Sequence, residues 1–338
     1  MMPTRRDALL AFPLLGTTTH GTAQPPAAGQ SKRIGILGIS RRPYYPLVQF
    51  PFVATLVKKG WIPGKNLAVE AVYADGDVER LPELADDLVR KGLDIIVTSG
   101  LVSTVAAARA TRTVPILFRK ASTPVEVGLI DSFARPGRNA TGIAASGVDV
   151  SSKRLQFLRE IVPNAKRLSW LVGSRSTFIE TVSGGRWDVA AAIEAASRGV
   201  GFEIRWHTTT QGKDLDAVLG DAVAWGAQAL SVTWWPGDDF PNRLAALALR
   251  HRLPSACIEV ENVEAGALLS FADARSGESL LDARFIDMVD SILRGAKPGE
   301  LPVERPNLYE LALNLNTARA LRLTIPSSIL VRADVVIE

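Results

Sequence analysis

The sequence predicts an α/β protein with two sets of mostly parallel strands flanked by helices. Short runs rich in β-branched residues alternate with amphipathic stretches of helical length, as in parallel sheets with helical crossovers. The alternation occurs in two successive blocks of about 115 residues each, the size of an ordinary domain. Of the 338 residues, 47% are apolar and 22% are charged, a typical globular composition.

In the first block, a strand is expected wherever a short apolar run ends at a small or turn-forming residue. Asp77 and Glu79 mark the start of one predicted helix, which ends at Gly92, and Gly60 marks the end of the helix before it. The predicted strands are residues 32–39, 67–73, 94–98, 114–118 and 140–145. The predicted helices are residues 46–60, 77–92, an alanine-rich helix ending near 111, and 124–134.

The second block repeats this pattern, with Pro163 marking the end of its first helix. The predicted helices are residues 151–162, 187–198, 215–225, 243–250 and 278–293. The predicted strands are residues 167–172, 202–208, 229–235, 255–260 and 267–271. A further strand and helix are expected near residues 310–321.

The N-terminal segment has the pattern of an export signal. Arg5 and Arg6 precede an apolar stretch at residues 8–15, and small residues at 21–23 offer a cleavage site. We expect residues 1–23 to be a signal peptide of twin-arginine type, followed by a Pro-, Ala- and Gly-rich leader at residues 24–31. A disordered N-terminal tail is the alternative, and export through the general pathway stays open. No cysteine stands at the cleavage site, so no lipid anchor is expected.

Composition argues against several kinds of chemistry. Cys257 is the one cysteine and there are three histidines, which excludes an intrachain disulfide and argues against a metal centre. No G-x-G-x-x-G, P-loop or G-x-S-x-G motif occurs, so we expect neither a cofactor nor catalysis. The net charge of +4 is small and dispersed, which does not favour nucleic acid binding. No run of 18 apolar residues indicates a membrane-spanning helix.

Ligands of open α/β sheets bind beyond the carboxyl ends of the strands, and this rule selects the candidate binding residues. Free N–H groups and hydroxyls at the start of the third helix suit a carboxylate, with a plain N-cap by Ser99 as the alternative. Tyr45 and Trp235 could flank a ring, or simply pack in their loops, and Arg175 could pair with an anion or be solvated. The candidates on these loops are Ser40, Tyr45, Ser99, Gly100, Leu101, Ser103, Thr104, Ser122, Thr123, Ser174, Arg175, Trp235 and Glu259.

Several stretches together resemble a known family. They are residues 80–85 (RLPELA), 134–142 (ARPGRNATG), 152–155 (SKRL), 263–271 (VEAGALLSF), 297–306 (KPGELPVERP), 310–321 (ELALNLNTARAL) and 332–338 (RADVVIE). In this order they resemble the tryptophan/tyrosine-type substrate-binding proteins of bacterial ABC transporters, which have the type I periplasmic-binding-protein fold.

The resemblance implies two lobes that close on a ligand in the cleft between them. Lobe 1 would comprise residues 32–145 and 268–300, and lobe 2 residues 146–267 and 301–338, with crossovers near 146, 268 and 300. The expected function is capture of an amino acid, an aromatic or a related carboxylate in the periplasm. An ABC permease and its ATPase would be the partners of a monomeric, non-enzymatic protein.

Two departures from the family pattern concern the ligand. Thr123 stands where many members have an Asp that would pair with a ligand ammonium group, and Phe271 replaces a Tyr near the hinge. A less polar ligand is therefore expected, unless Glu259, Glu261 or Asp273 supplies the lost charge. A sensor domain that feeds a membrane receptor is the first alternative, and a secreted α/β enzyme is the second.

Overall fold

The structure is a computed structural model, and it describes residues 31–39, 51–172, 178–180, 182–184, 186–209, 214–233 and 239–338. Within these ranges strands alternate with helices, and most of the strands belong to two large sheets, as predicted. The predicted signal peptide lies outside the described residues, and so does the leader except for residue 31.

The first sheet is parallel throughout its described part, with strand order β2-β1-β3-β4-β5. Its strands are β1 (Lys32–Gly38), β2 (Leu67–Tyr73), β3 (Ile95–Ser99), β4 (Ile116–Ala121) and β5 (Ala140–Ala144). The accompanying helices are α1 (Pro51–Lys58), α2 (Leu81–Arg90) and α3 (Leu101–Ala110).

Both faces of the first sheet are covered, because its strands are apolar on both sides. Ile34 and Ile95 face the cluster that includes Leu56 of α1, whereas Ile96 and Phe118 face the cluster formed by α2 and α3. Strands β4 and β5 approach so closely at Gly142 that a Cβ there would lie 2.0 Å from Phe118 O. Only glycine therefore fits at this point of the edge strand.

The second sheet has strand order β14-β13-β12-β11-β10-β6-β9, and in its described part only the β12–β13 pair is antiparallel. Its strands are β6 (Arg167–Val172), β9 (Glu203–Thr208), β10 (Ala229–Val232), β11 (Ser255–Cys257), β12 (Leu269–Asp273), β13 (Tyr309–Asn314) and β14 (Val335–Ile337). A separate antiparallel hairpin consists of β7 (Phe178–Glu180) and β8 (Arg186–Asp188).

The helices of the second half pack mainly on the second sheet. They are α4 (Val148–Ile161), α5 (Val189–Val200), α6 (Leu215–Ala224), α7 (Phe240–Arg250), α8 (Val260–Glu264), α9 (Arg275–Leu293), α10 (Leu315–Ala320) and α11 (Ser327–Leu330). Leu155 and Leu158 of α4 join Trp170 in one apolar cluster, and Leu219 of α6 and Leu244 of α7 belong to another. Helix α9 is the exception, because Phe285, Val289 and other residues of it pack on the first sheet.

The chain passes three times between the first lobe, meaning the first sheet with its helices and α9, and the second lobe, meaning the second sheet with its helices. The first crossover lies between β5 and α4, close to the expected position. The second lies after Asp273 rather than near 268, because residues 269–273 pair with β13 in the second sheet. The third lies after Glu304 rather than near 300, because Ala144 N donates to Glu304 O at 2.9 Å. The chain thus leaves each sheet a few residues later than expected.

The hairpin β7–β8, helix α11 and strand β14 are absent from the predictions, and two predicted elements form differently. Residues 124–134 form turns instead of a helix. The left-handed φ of 75° at Gly128 interrupts any helical continuation after Pro124. Strand β11 ends at Cys257 instead of residue 260, because Val260 and Val263 belong to α8 and pack against Ala312 of β13.

Among the described residues, no helix is both long enough and apolar enough to cross a membrane. The longest helix, α9, spans 19 residues and carries several charged side chains.

Candidate functional site

Two of the predicted binding segments lie side by side at the carboxyl edge of the first sheet. Ser99 at the end of β3 is in register with Arg119 of β4, and Gly100 N donates to Arg119 O at 2.8 Å. The first segment, residues 98–104, is called the β3 junction below. The second, residues 120–124, is called the β4 loop. Strand ends of parallel sheets are where ligands of such folds bind.

Helix α3 begins without a side-chain cap. Its N-cap residue is Gly100, with φ 83° and ψ 164°, and this glycine has no side chain with which to bond the free amides of the first turn. Ser99 is exposed and precedes the cap, so the alternative in which Ser99 caps this helix is wrong. Leu101 is buried in the apolar cluster of the first lobe and offers only its backbone. The amides at this helix start favour an anion.

Ser103 and Thr104 use their hydroxyl groups within the protein. Ser103 Oγ donates to Ser99 O and Thr104 Oγ1 to Gly100 O, each at 2.6 Å. Thr104 Oγ1 also lies 2.8 Å from Thr98 Oγ1. Both side chains are almost completely buried, at 1% and 0% exposure. These bonds hold the β3 junction in shape.

Thr123 in the β4 loop is in the opposite situation. Its φ of 49° places a β-branched residue in the left-handed region, which is rare and costs conformational energy. Its Oγ1 is buried, and among the described residues it has no hydrogen-bond partner. An unpaired buried hydroxyl costs free energy that a ligand could recover. Ser122 beside it is half-buried.

A cavity of about 460 Å³ lies next to Thr123. This volume falls within the range of roughly 300–1,000 Å³ found for small-molecule sites. Both lobes and two of the three crossovers contribute to its wall. The lining residues are Thr123, Pro124, Glu126, Phe133, Ala145, Ser146, Gly147, Val148, Asp149, Ala192, Arg305, Pro306 and Tyr309.

The cavity wall combines aromatic rings with charges of both signs. Phe133 and Tyr309 provide apolar surface, and the guanidinium of Arg305 lies 4.7 Å from the centre of the Phe133 ring. Glu126 and Asp149 are exposed carboxylates at the same wall. Such a wall suits a small molecule with an aromatic or aliphatic body and polar ends.

Asp273 and Phe271 are both predicted binding residues. Neither lines this cavity, but each contacts a residue that does. Asp273 accepts a hydrogen bond from Ser146 Oγ, which joins the first and second crossovers. The Phe271 ring packs edge-on against Phe157 at 5.2 Å and lies 5.8 Å from the Tyr309 ring. Phe271 thus supports the cavity wall from behind Tyr309.

Glu259 lies away from this cavity, at the N-cap of α8. It is half-buried, and its carbonyl oxygen accepts a hydrogen bond from Asn262 N at 3.2 Å. Since it does not line the cavity, the structure does not bring it together with Thr123.

Comparison with known proteins decides the family. A family model described as ABC transporter substrate binding protein matches residues 50–184 and 237–337. The chain belongs to this family. The prediction of an ABC substrate-binding protein is therefore confirmed, and the family is one of solute-binding proteins rather than enzymes.

Individual relatives agree with the family. A tyrosine-binding protein of Clostridioides difficile (strain R20291) is 23% identical over 297 residues, which cover 86% of this chain and 81% of the relative. An ABC domain from Streptococcus pneumonia in complex with L-Trp has a TM-score of 0.70 at 20% identity, covering 91% of this chain and all of that one.

A conserved domain protein from Vibrio cholerae O1 biovar eltor strain N16961 has a TM-score of 0.71 at 22% identity, covering 91% of this chain and 100% of that one. Similar structures include periplasmic binding proteins, so the type I periplasmic-binding-protein fold predicted from the sequence is confirmed.

Five of the predicted binding residues of this substrate-binding protein cannot be placed. They lie outside the described residues and are Ser40, Tyr45, Ser174, Arg175 and Trp235.

Sequence reasoning missed most of the cavity wall. The sequence predicts Phe133 within a helix, Arg305 lies at the third crossover, which is expected earlier in the chain, and Tyr309 is the first residue of β13. The proline-containing stretch at residues 302–306 was a usable signal, because an extended segment beside a hinge is well placed to line an interlobe cavity.

A buried arginine connects α4 to the strand that leads into the second crossover. Arg154 is 1% exposed, and its guanidinium lies 3.3 Å from both Phe271 O and Ser151 Oγ. Burial lowers the pKa of Arg154 to about 10, so it stays charged at neutral pH. Burial also raises the pKa of the Cys257 thiol to about 12, with Arg154 opposing the shift. The thiol is therefore protonated at neutral pH and unreactive.

Within the described residues, no group of three or more His, Cys, Asp or Glu side chains is arranged to hold a metal ion. His207 Nδ1 contacts Ser169 Oγ at 3.0 Å, and burial lowers the pKa of the His207 ring. His251 contacts the exposed Asp216 at 3.0 Å.

Proposed function

We propose that this protein is the solute-binding component of an ABC importer and that it binds an amino acid or an aromatic carboxylate in the cavity beside Thr123. The observation that carries the proposal is a cavity whose wall is formed by both lobes and is lined by Thr123, whose buried Oγ1 has no hydrogen-bond partner among the described residues. A polar atom held in this way in a substrate-binding protein is a natural contact for a ligand.

The residues that line the cavity and the ligands named for similar proteins together indicate the class of ligand. The rings of Phe133 and Tyr309 suit an apolar or aromatic body, and Arg305 can pair with a carboxylate. The free amides at the start of α3 offer a second place for a carboxylate, next to the β4 loop. A curated relative is named for tyrosine binding and a similar structure contains L-Trp, which supports aromatic amino acids as the first ligands to test.

Lobe closure would then signal occupancy to the transporter. A ligand held at a wall formed by both lobes stabilises their approach, and the three crossovers would serve as the hinge. We propose that an ABC permease with its ATPase receives the closed form. Export through the signal peptide at residues 1–23 would place the monomeric protein in the periplasm.

The decisive experiment begins with the mature chain from residue 24. Freshly purified protein is denatured, and mass spectrometry identifies any small molecule that it releases. L-Tyrosine, L-tryptophan and 4-hydroxybenzoate are then titrated by calorimetry. We expect release or binding of at least one amino acid or aromatic carboxylate. Release of a sugar or a metal chelate, with no binding of any acid, would contradict the proposed ligand class.

A substitution links binding to the cavity. Thr123→Val removes the hydroxyl and keeps the shape of the side chain, and it should weaken binding of the identified ligand. Thr324→Val is the matched control, because Thr324 is exposed in the loop between α10 and α11. Equal affinity in both variants would place the ligand elsewhere.

A further inference from the structure

A segment of the second lobe reaches across to the first lobe. Hairpin strands β7 and β8 lie in the chain between β6 and α5, both elements of the second lobe. Val182, between the two strands, nevertheless belongs to the apolar cluster of the first lobe together with Val105 and Val127. We call the described residues of 178–188 the strap.

Three contacts fix the strap to the first lobe. Val182 is 6% exposed, so its side chain is removed from water by first-lobe residues. Val182 N donates to Val127 O at 2.9 Å, as in a strand pair. Arg112, just after α3, has its Nη2 at 3.5 Å from Val182 O. Apolar burial and satisfied backbone polarity together make this a packed interface.

The strap is also firmly joined to the second lobe. Asp188, the last residue of β8, is the N-cap of α5, and its Oδ1 accepts a hydrogen bond from Ala191 N at 2.8 Å. Helix α5 packs in turn against α4. A force that separates the lobes would therefore act directly on the contact at Val182.

The strap joins segments that line the cavity on its two sides. In the first lobe, Val127 stands between Glu126 and Phe133, which line the cavity, and in the second lobe Ala192 of α5 lines it. The strap thus connects the two sides that must separate for the cavity to open.

We propose that the strap is an interlobe latch, in which docking of Val182 into the first-lobe core holds the lobes together and restricts opening of the cavity. The three crossovers connect the lobes covalently, and the latch adds a reversible contact. The latch concerns the protein without ligand. It can therefore be absent in a protein that binds the proposed ligand, and it can be present in a protein that does not.

Thiol labelling tests the docking directly. Cys257 is fully buried and its thiol is protonated, so the native chain provides a low background. In Val182→Cys the new thiol should react with a maleimide at least about tenfold more slowly than in Ser183→Cys, whose position is exposed, because reaction requires local opening. Equal rates at 182 and 183 in the folded proteins would overturn the proposal.

Small-angle scattering tests whether docking holds the lobes together. Val182→Asp puts a charge into the first-lobe core and should increase the radius of gyration of the ligand-free protein. Val223→Asp on the exposed face of α6 is the matched control and should leave it unchanged. If Val182→Asp does not fold, Val182→Ala replaces it. A folded variant with an unchanged radius of gyration would overturn the latch.

Discussion

The β3 junction and the β4 loop lie side by side in the first sheet, but they use their hydroxyl groups in opposite ways. In the β3 junction, Ser103 and Thr104 donate to carbonyl oxygens of the preceding loop at 2.6 Å. In the β4 loop, Thr123 is held at a φ of 49° with a buried Oγ1 that has no partner among the described residues.

We propose that this difference separates a structural role for Ser103 and Thr104 from a binding role for Thr123. The hydroxyls of Ser103 and Thr104 donate their protons within the fold, and both side chains are almost completely buried, so a ligand has little access to them. An unpartnered, strained residue reduces stability and is retained where a site uses it. Sequence position alone identifies both segments as candidates, and hydrogen-bond geometry distinguishes them.

The largest effect should come from the β3 junction. Thr104→Val leaves buried oxygen atoms of Gly100 and Thr98 with fewer donors, so the free energy of unfolding should fall by about 1–3 kcal/mol. Urea denaturation measures it, and Thr324→Val should change it by less than about 0.5 kcal/mol. A Thr104→Val protein as stable as the wild type would show that these bonds do not support the junction.

A charge in the β4 loop should change ligand preference. Thr123→Asp introduces the residue that the family resemblance associates with a ligand ammonium group. We expect about tenfold tighter binding of L-tyrosine relative to its des-amino analogue, as for a charge-assisted hydrogen bond. Calorimetry with both compounds measures the ratio. An unchanged ratio would show that position 123 does not lie beside the ammonium group of the bound ligand.

Removing the Thr123 hydroxyl should affect binding and not folding. Thr123→Val eliminates an unpaired buried oxygen, so stability should be unchanged or higher. Affinity for L-tyrosine should fall about 3- to 10-fold through loss of one neutral hydrogen bond. Loss of stability with unchanged affinity would reverse the roles assigned to the two segments.

The smallest effect concerns pH, since neither segment contains a histidine. Burial, the largest cause, lowers the pKa of His207 below 6.5 in the folded protein. The unfolded chain therefore binds the proton first as the pH falls, so the stability contributed by His207 is complete above pH 6.5 and is lost below it. The loss should be small, because a half-buried ring keeps part of its contact with water in the folded protein.

His207→Gln should reduce this acid-dependent loss between neutral pH and the onset of carboxylate titration. Thermal melting of both proteins across this pH range measures the difference. Parallel pH profiles would show that His207 does not contribute.

Much of the fold was predictable because strands of parallel sheets are short apolar runs. Residues 32–38 and 167–172 were recognised on that basis. The turns at 124–134 are not predictable in this way, since their apolar spacing also fits a helix and Gly128 can adopt either a helical or a positive φ. The strap was missed because its first-lobe partners are far away in the sequence.

The candidate site was predictable only in part. Thr123 is a candidate because it lies in the loop after the fourth predicted strand and stands where many members of the resembled family have an Asp. The roles of Arg305 and Tyr309 depend on where the third crossover leaves the first lobe. That position is set by backbone bonds to β5, and no local pattern reports it.

The central claim is that a ligand occupies the cavity beside Thr123, and a crystal structure of the protein with its identified ligand tests it most directly. We expect ligand density within the cavity, with a polar ligand atom within hydrogen-bond distance of Thr123 Oγ1 and the bonds of Ser103 and Thr104 unchanged. Ligand bound to rotated Ser103 and Thr104 hydroxyls, with Thr123 Oγ1 still unpaired, would contradict it.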